Sequence, residues 1–145
     1  MESIDVPPDD RLGTRIELVT RWSDEDNQSV LNNAVYLTLL EEARLYYFRS
    51  LKLMEPEGAF PFVLAQCNVK FAAPGRGGER VEVRLATMHI GNTSFEQAYR
   101  VRSLGDGVVW CEARARLVAW DKVRRAKQPI DPRLRAAVEA LERRG

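Results

Sequence analysis

The sequence predicts an α+β domain in which a five-stranded antiparallel sheet wraps one long central helix, with a short helix at the C-terminus. Three observations carry this. Residues 37–51 run without glycine or proline behind a polar, turn-prone loop, the pattern of a helix with a defined start. Five other runs alternate apolar and polar residues with the two-residue period of strands. Pro132 then opens a terminal stretch suited to a short helix, ending near residue 143.

Taken in order, residues 1–11 are acidic and contain Pro7 and Pro8, so they read as a loose tail. In 14–22, Ile16, Leu18, Thr20 and Trp22 share one face and Arg15, Glu17 and Arg21 the other, a half-buried strand. Asn27, Ser29, Asn32 and Asn33 each carry a side-chain oxygen able to cap the helix that follows. That helix, from about 34 to 52, gathers Thr38, Glu41, Glu42, Arg49 and Lys52 on one arc. Tyr36, Leu37, Leu40, Ala43, Tyr47 and Leu51 occupy the rest, so it should be enclosed on most sides. Residues 53–61 read as a loop.

Strands follow at 62–73, 79–90, 93–103 and 108–120, separated by turns at 74–78, at Gly91-Asn92 and at Gly105-Asp106-Gly107. The last carries Cys111, Ala113, Ala115, Leu117 and Ala119 on one face, small enough for a helix to approach closely. Val108, Trp110, Val118 and Trp120 fall on the other, otherwise charged face, which leaves room for oligomer contacts.

A length of 145 residues suits one domain, 1–145, with a substantial core. The 22 Lys and Arg against 21 Asp and Glu leave a net charge of +1, no electrostatic footprint for nucleic acid or an anionic membrane. The basic run at 122–127 is either a solvated connection or the rim of an anion site. Cys67 and Cys111 lack metal-ligand spacing and form no disulfide framework; both read as small core residues. No metal site is expected. The N-terminus lacks the apolar core of a signal peptide, and no stretch approaches the ~20 apolar residues needed to span a bilayer. A cytoplasmic protein is expected. His89 is the only histidine; it has no Ser or Cys partner, and no nucleophile elbow exists, which argues against a triad hydrolase.

Asp24, Glu25 and Asp26 lie just before a helix N-terminus, where free N–H groups and the helix dipole favour negative charge. This pairing suits a reaction that develops an oxyanion; a solvated acidic loop is the plain alternative. Arg76, set among glycines, either faces phosphate or simply sits in a turn.

The stretch Trp22-Ser23-Asp24-Glu25-Asp26-Asn27-Gln28-Ser29-Val30-Leu31-Asn32-Asn33-Ala34-Val35-Tyr36 resembles the opening motif of the hot-dog-fold thioesterases, specifically the 4-hydroxybenzoyl-CoA thioesterase-like branch. Leu39-Leu40-Glu41-Glu42-Ala43-Arg44, Val69-Lys70-Phe71-Ala72-Ala73-Pro74 and Gly91-Asn92-Thr93-Ser94-Phe95-Glu96 are similar to later segments of that family, in the same order. The resemblance implies a hot-dog fold and an acyl-CoA thioesterase. It implies Asp26 as general base or nucleophile and the backbone N–H of Asn33 as oxyanion donor. Asn32 or Tyr36 would orient water or the acyl group, Ser94 and Arg76 would contact substrate, and Glu41 is the backup catalytic carboxylate, by analogy with another hot-dog branch. It implies no cofactor beyond the coenzyme A of the substrate, an acyl-CoA or acyl-carrier-protein thioester as partner, and a homodimer or homotetramer. Two positions depart from the family: Ser29 stands for its glycine and Val30 for its histidine. A non-catalytic acyl-thioester binder is therefore the second expectation. A hydratase lacks the Asp/His or Glu/His pair it would need in this motif.

Overall fold

The computed structural model describes residues 4–53 and 61–144. Its strands are β1 (Thr14–Val19), β2 (Phe62–Phe71), β3 (Arg80–Ile90), β4 (Ser94–Ser103), β5 (Val109–Asp121) and β6 (Ala126–Lys127). Helix α1 (Asn33–Ser50) lies between β1 and β2, and α2 (Pro132–Arg144) closes the chain. All strands pair antiparallel, in the order β1-β3-β4-β5-β2 with β6 added to β5. The sheet curls around α1, the expected hot-dog arrangement. Most of the expected loop at 53–61 falls outside the described residues.

The two-residue period is obeyed along the inner face. Val81, Val83 and Leu85 of β3, Phe95, Gln97, Tyr99 and Val101 of β4, and Cys111, Ala113, Ala115, Leu117 and Ala119 of β5 are all buried. Against them α1 sets Tyr36, Leu40, Ala43, Tyr47 and Phe48. Phe48, Phe62 and Phe95 close one end of the core with ring centroids 4.8–5.3 Å apart, the spacing of favourable aromatic pairs. Leu37 and Tyr46 of α1 stay exposed, so the helix is less enclosed than its composition suggests.

The sheet has six strands, not five. The Asp121 carboxylate accepts hydrogen bonds from the backbone of Val123 and Arg124 and from the Arg124 guanidinium. These, with Arg125 in a left-handed conformation (φ 54°), fold the basic run back along β5 as a hairpin. Its charged side chains are exposed.

Alternation places Trp110 on the outer face, but the side chain is buried. Cys111 pairs with Val101, while Val109 pairs with Arg102, so Trp110 is an extra residue in β5. A bulge of this kind turns its side chain out of register, here into the core beside Tyr36 and Gly75. Trp22 deviates in the other direction. β1 ends at Val19, a 3-10 turn (Trp22–Asp24) follows, and Trp22 is left 82 % exposed.

The N-terminal segment is not loose over its described residues. Leu12 is fully buried against Ala86 and Ala98, with Val6 and Met88 beside it. Arg100 donates to the carbonyls of Pro7 and Val6 and to Asp9, and Arg102 also donates to Asp9 at 2.7 Å. Burial acts to raise the Asp9 carboxyl pKa, yet the hydrogen bonds from Arg102 and Arg100 outweigh it and hold it below its ordinary value. The segment thus straps the outer face of the sheet.

Candidate active site

The turn after β1 is built from side-chain hydrogen bonds. The Thr20 hydroxyl donates to the Arg76 carbonyl (2.7 Å) and accepts from the Glu79 N–H (3.1 Å). The Asp24 carboxylate accepts from the Arg21 backbone N–H (2.8 Å) and the Arg21 guanidinium (2.9 Å). Asp24 is therefore a structural carboxylate. Residues 25–31 then form a tight loop: Glu25 and Leu31 bridge, Asp26 N–H donates to the Val30 carbonyl (2.8 Å), and Ser29 N–H donates to the Asp26 carbonyl (3.1 Å). Ser29 sits at φ 58°, the left-handed conformation for which the family uses glycine. A side chain there costs about 1–2 kcal/mol, but the loop keeps its path.

Asp26 stands exposed at this loop. Its Oδ1 accepts the Gln28 N–H at 2.8 Å; Oδ2 has no partner among the described residues. The loop runs directly into α1. Asn32 donates its N–H to the Asp24 carbonyl (2.8 Å), and its side chain caps α1 by accepting from Ala34 N–H (2.9 Å). Asn32 is thus the cap among the four candidates. The N–H of Asn33, the first helical residue, has no partner among the described residues. A free carboxylate oxygen and a free helix-end donor lie on one continuous tight segment.

The remaining expected site residues scatter. The Tyr36 ring is buried, and its hydroxyl accepts from Gly75 N–H at 3.0 Å. It ties α1 to the 74–78 turn. Arg76 is held by Glu79 and Asp106. The glycines beside it donate inward: Gly75 to Tyr36, Gly77 to Glu25 (2.9 Å) and Gly78 to the Thr20 carbonyl (2.9 Å). The three glycine N–H groups of that turn are thus taken within one chain. Glu41 is exposed on α1, about 12 Å along the helix axis from Asn33. Ser94 pairs with Val118, eight residues along β5 from Trp110, so about 26 Å of strand separates it from the Asp26 end of the sheet. Within one chain the structure does not bring Ser94 to Asp26.

Sequence reasoning missed the ties that fix the loop: Glu25 to Gly77, and Leu31 N–H to the Gly75 carbonyl at 2.9 Å. Three glycines within 74–78 were the available signal, since glycine also marks close backbone approach. A cavity of about 450 Å³ lined by Arg11, Thr87, Met88 and Glu142, among others, lies elsewhere and contains none of these residues. Among the described residues no group of three or more His, Cys, Asp or Glu is placed to hold a metal. Among them, too, no helix is long and apolar enough to cross a membrane.

The Asp24 pair gives a test of stability. The Arg21 hydrogen bond holds the Asp24 carboxyl below its ordinary value of 3.8. A depressed folded-state pKa stabilises above the unfolded value and loses that contribution as pH falls through the folded value. Asp24→Asn should therefore lower the melting temperature at neutral pH, and the deficit should shrink below about pH 4. Thermal unfolding of both proteins from pH 7 to pH 3 measures this; a constant deficit contradicts it.

The fold has counterparts among known proteins. The fold is similar to that of a thioesterase from Thermus thermophilus solved with coenzyme A and Zn, at 29 % identity and a TM-score of 0.78 over 90 % of this chain and 95 % of that one. A putative thioesterase from Pseudomonas aeruginosa gives 28 % identity and a TM-score of 0.77 over 86 % and 97 %. A 1,4-dihydroxy-2-naphthoyl-CoA thioesterase from Synechocystis, at 21 % identity, shares the fold with a TM-score of 0.78 over 89 % and 97 %. No curated protein matches the sequence significantly. Residues 28–110, more than half of the chain, match the family model of the thioesterase superfamily; the protein belongs to that superfamily and is an enzyme of the thioester-hydrolase class.

Proposed function

We propose that the protein hydrolyses an acyl-CoA thioester, with Asp26 as the catalytic carboxylate and the N-terminus of α1 as the oxyanion site. The observation that carries this is the single tight segment that presents the free Oδ2 of Asp26 and the free N–H of Asn33. Water adds to the thioester carbonyl carbon and gives its proton to Asp26. Negative charge gathers on the carbonyl oxygen, where the Asn33 N–H and the helix dipole stabilise it. The C–S bond then breaks, and the departing thiolate takes the proton. Direct attack by Asp26 through a mixed anhydride, later opened by water, uses the same atoms. Asn32 shapes this end of α1 as its cap. In this reading no cofactor acts beyond the coenzyme A, or carrier-protein arm, of the substrate. The relative from Thermus, solved with coenzyme A, favours the former.

A homodimer, or a homotetramer built from two dimers, completes the reading. Trp110 drops out of its first support, the apolar residues of the outer face, while Val108 stays exposed and Val118 and Trp120 are only partly buried. Beside it stands β2, a free edge strand on which Val63, Leu64 and Phe71 are exposed; such edges are normally paired or covered. A second copy would also supply Ser94, which one chain keeps away from Asp26. The free thiols of Cys67 and Cys111 fit a cytoplasmic location.

Incubating the protein with a panel of acyl-CoAs should release free thiol, and light scattering at micromolar concentration should give at least a dimer mass. Tight binding of the panel without thiol release favours the non-catalytic reading. A clean monomer mass sinks the assembly.

A further inference from the structure

Arg44 is a residue of α1 whose charge the fold has buried. It is only 5 % exposed, with its Nε donating to the Tyr99 hydroxyl at 2.9 Å and its guanidinium 5.6 Å from the Tyr99 ring centre. No carboxylate among the described residues lies within ion-pair distance of it. Its two terminal nitrogens have no hydrogen-bond partner among those residues, yet they are not sealed from solvent, since no fully enclosed side-chain nitrogen is left unpaired there. Burying a cation without a counter-charge is costly. An anion arriving at that edge would offset the cost.

The orientation of this cation is fixed from behind. The Tyr99 hydroxyl donates to the Gln97 side-chain oxygen (2.6 Å), and the Gln97 side-chain N–H donates to the Thr87 hydroxyl (3.2 Å). Thr87 lies 2.8 Å from the Tyr47 hydroxyl, which donates to Glu142 at 2.6 Å. Since the single Tyr47 proton goes to Glu142, Thr87 donates to Tyr47. Every donor thus points from Arg44 toward the carboxylate at the far end, an arrangement in which successive bonds polarise one another. The chain joins both helices to β3 and β4. It uses Nε and leaves the end-on pair of terminal nitrogens free, the edge that matches a carboxylate with two parallel hydrogen bonds.

Cys67 of β2 feels the Arg44 charge, and Cys67 and Val69 are only partly buried, with Phe71 half exposed. Arg44 lies eleven residues beyond Asn33 on the same helix, a rise of about 16 Å, and helical side chains lean back toward the N-terminus. A thioester carbonyl held at Asn33 would therefore direct the far end of a medium-length acyl group toward Arg44.

We propose that Arg44 determines substrate specificity: its free guanidinium edge receives a carboxylate at the far end of the acyl group, so the substrates are ω-carboxyacyl thioesters. This rests on the thioesterase reading above and goes one step further, to the substrate class.

The test compares acyl groups of equal carbon number. Adipoyl-CoA should exceed hexanoyl-CoA in kcat/KM by about ten- to a hundredfold, the worth of a hydrogen bond to a charged group. Arg44→Met and Arg44→Gln should bring that ratio close to one. The non-hydrolysable thioethers S-(5-carboxypentyl)-CoA and S-hexyl-CoA, measured by calorimetry, should show the same preference and the same loss. Equal or better handling of the uncharged members by the unmodified protein overturns the proposal, as does a preference that survives in both variants. If no thioester is hydrolysed, the catalytic reading fails, and the thioether pair alone decides the role of Arg44. Loss of folding in one variant leaves the ratio in the unmodified protein and the other variant as the decision.

Discussion

Asp26→Asn is expected to lower thioester turnover by about 10²–10⁴-fold, the usual worth of general-base catalysis, with little change in stability. Asparagine is close in shape and keeps an amide oxygen to accept the Gln28 N–H that Asp26 Oδ1 accepts at 2.8 Å, so the loop should persist. The Asn33 donor is untouched, and binding of an S-hexyl-CoA thioether should survive. The loss should therefore fall on kcat rather than KM. Two other carboxylates of the loop are unsuitable comparisons. Asp24 holds the Arg21 backbone and guanidinium, and Glu25 holds Gly77 N–H; neutralising either loosens the loop itself. Glu41→Gln is the clean comparison, because Glu41 is exposed on α1 and its removal disturbs no polar contact among the described residues. It should retain near-normal turnover. Near-normal activity in Asp26→Asn combined with loss in Glu41→Gln would move the catalytic carboxylate onto the helix.

The parts of this protein that were legible from sequence are those governed by period and local chemistry. Val81, Val83 and Leu85, and Cys111 through Ala119, face inward as alternation requires. Asn32 caps α1 by a mechanism visible in residue type alone. Ser29 takes the left-handed backbone that the motif demands even without glycine. What failed depended on single-residue shifts. One extra residue in β5 reverses Trp110, and one 3-10 turn turns Trp22 outward; neither leaves a mark in the hydrophobic pattern. The N-terminal strap was hidden for another reason. Its apolar contribution is Leu12 settling on two alanines with Val6 beside it, and its other anchors are the lone Asp9 carboxylate and backbone carbonyls taken by Arg100. Backbone acceptors carry no sequence signature. The distances within the site were illegible as well, since Ser94 and Asp26 belong to similar family motifs yet lie at opposite ends of one sheet.

Gly75→Val is expected to cost more than about 3 kcal/mol of stability, at or above the upper end of ordinary overpacking. The reason is space rather than torsion. A Cβ on Gly75 would sit 2.6 Å from Trp110 Cε3 and 2.8 Å from the Tyr36 hydroxyl oxygen. Both rings are buried, so neither has room to retreat. The same glycine accepts from Leu31 N–H at 2.9 Å and donates to Tyr36 at 3.0 Å, so a shift there also releases the loop that carries Asp26. Alanine, with one carbon, should cost about 1–3 kcal/mol. Gly78→Ala separates the two kinds of glycine: its φ is 74°, but nothing lies within 4 Å of the added carbon, so only the torsional cost of about 1–2 kcal/mol applies. Denaturant unfolding measures all three. If Trp110 is the obstacle, Gly75→Ala combined with Trp110→Leu should cost clearly less than the sum of the two single changes. Strict additivity would mean that the ring does not oppose the Cβ, and that the closeness of the 74–78 turn to β5 is not what holds the loop.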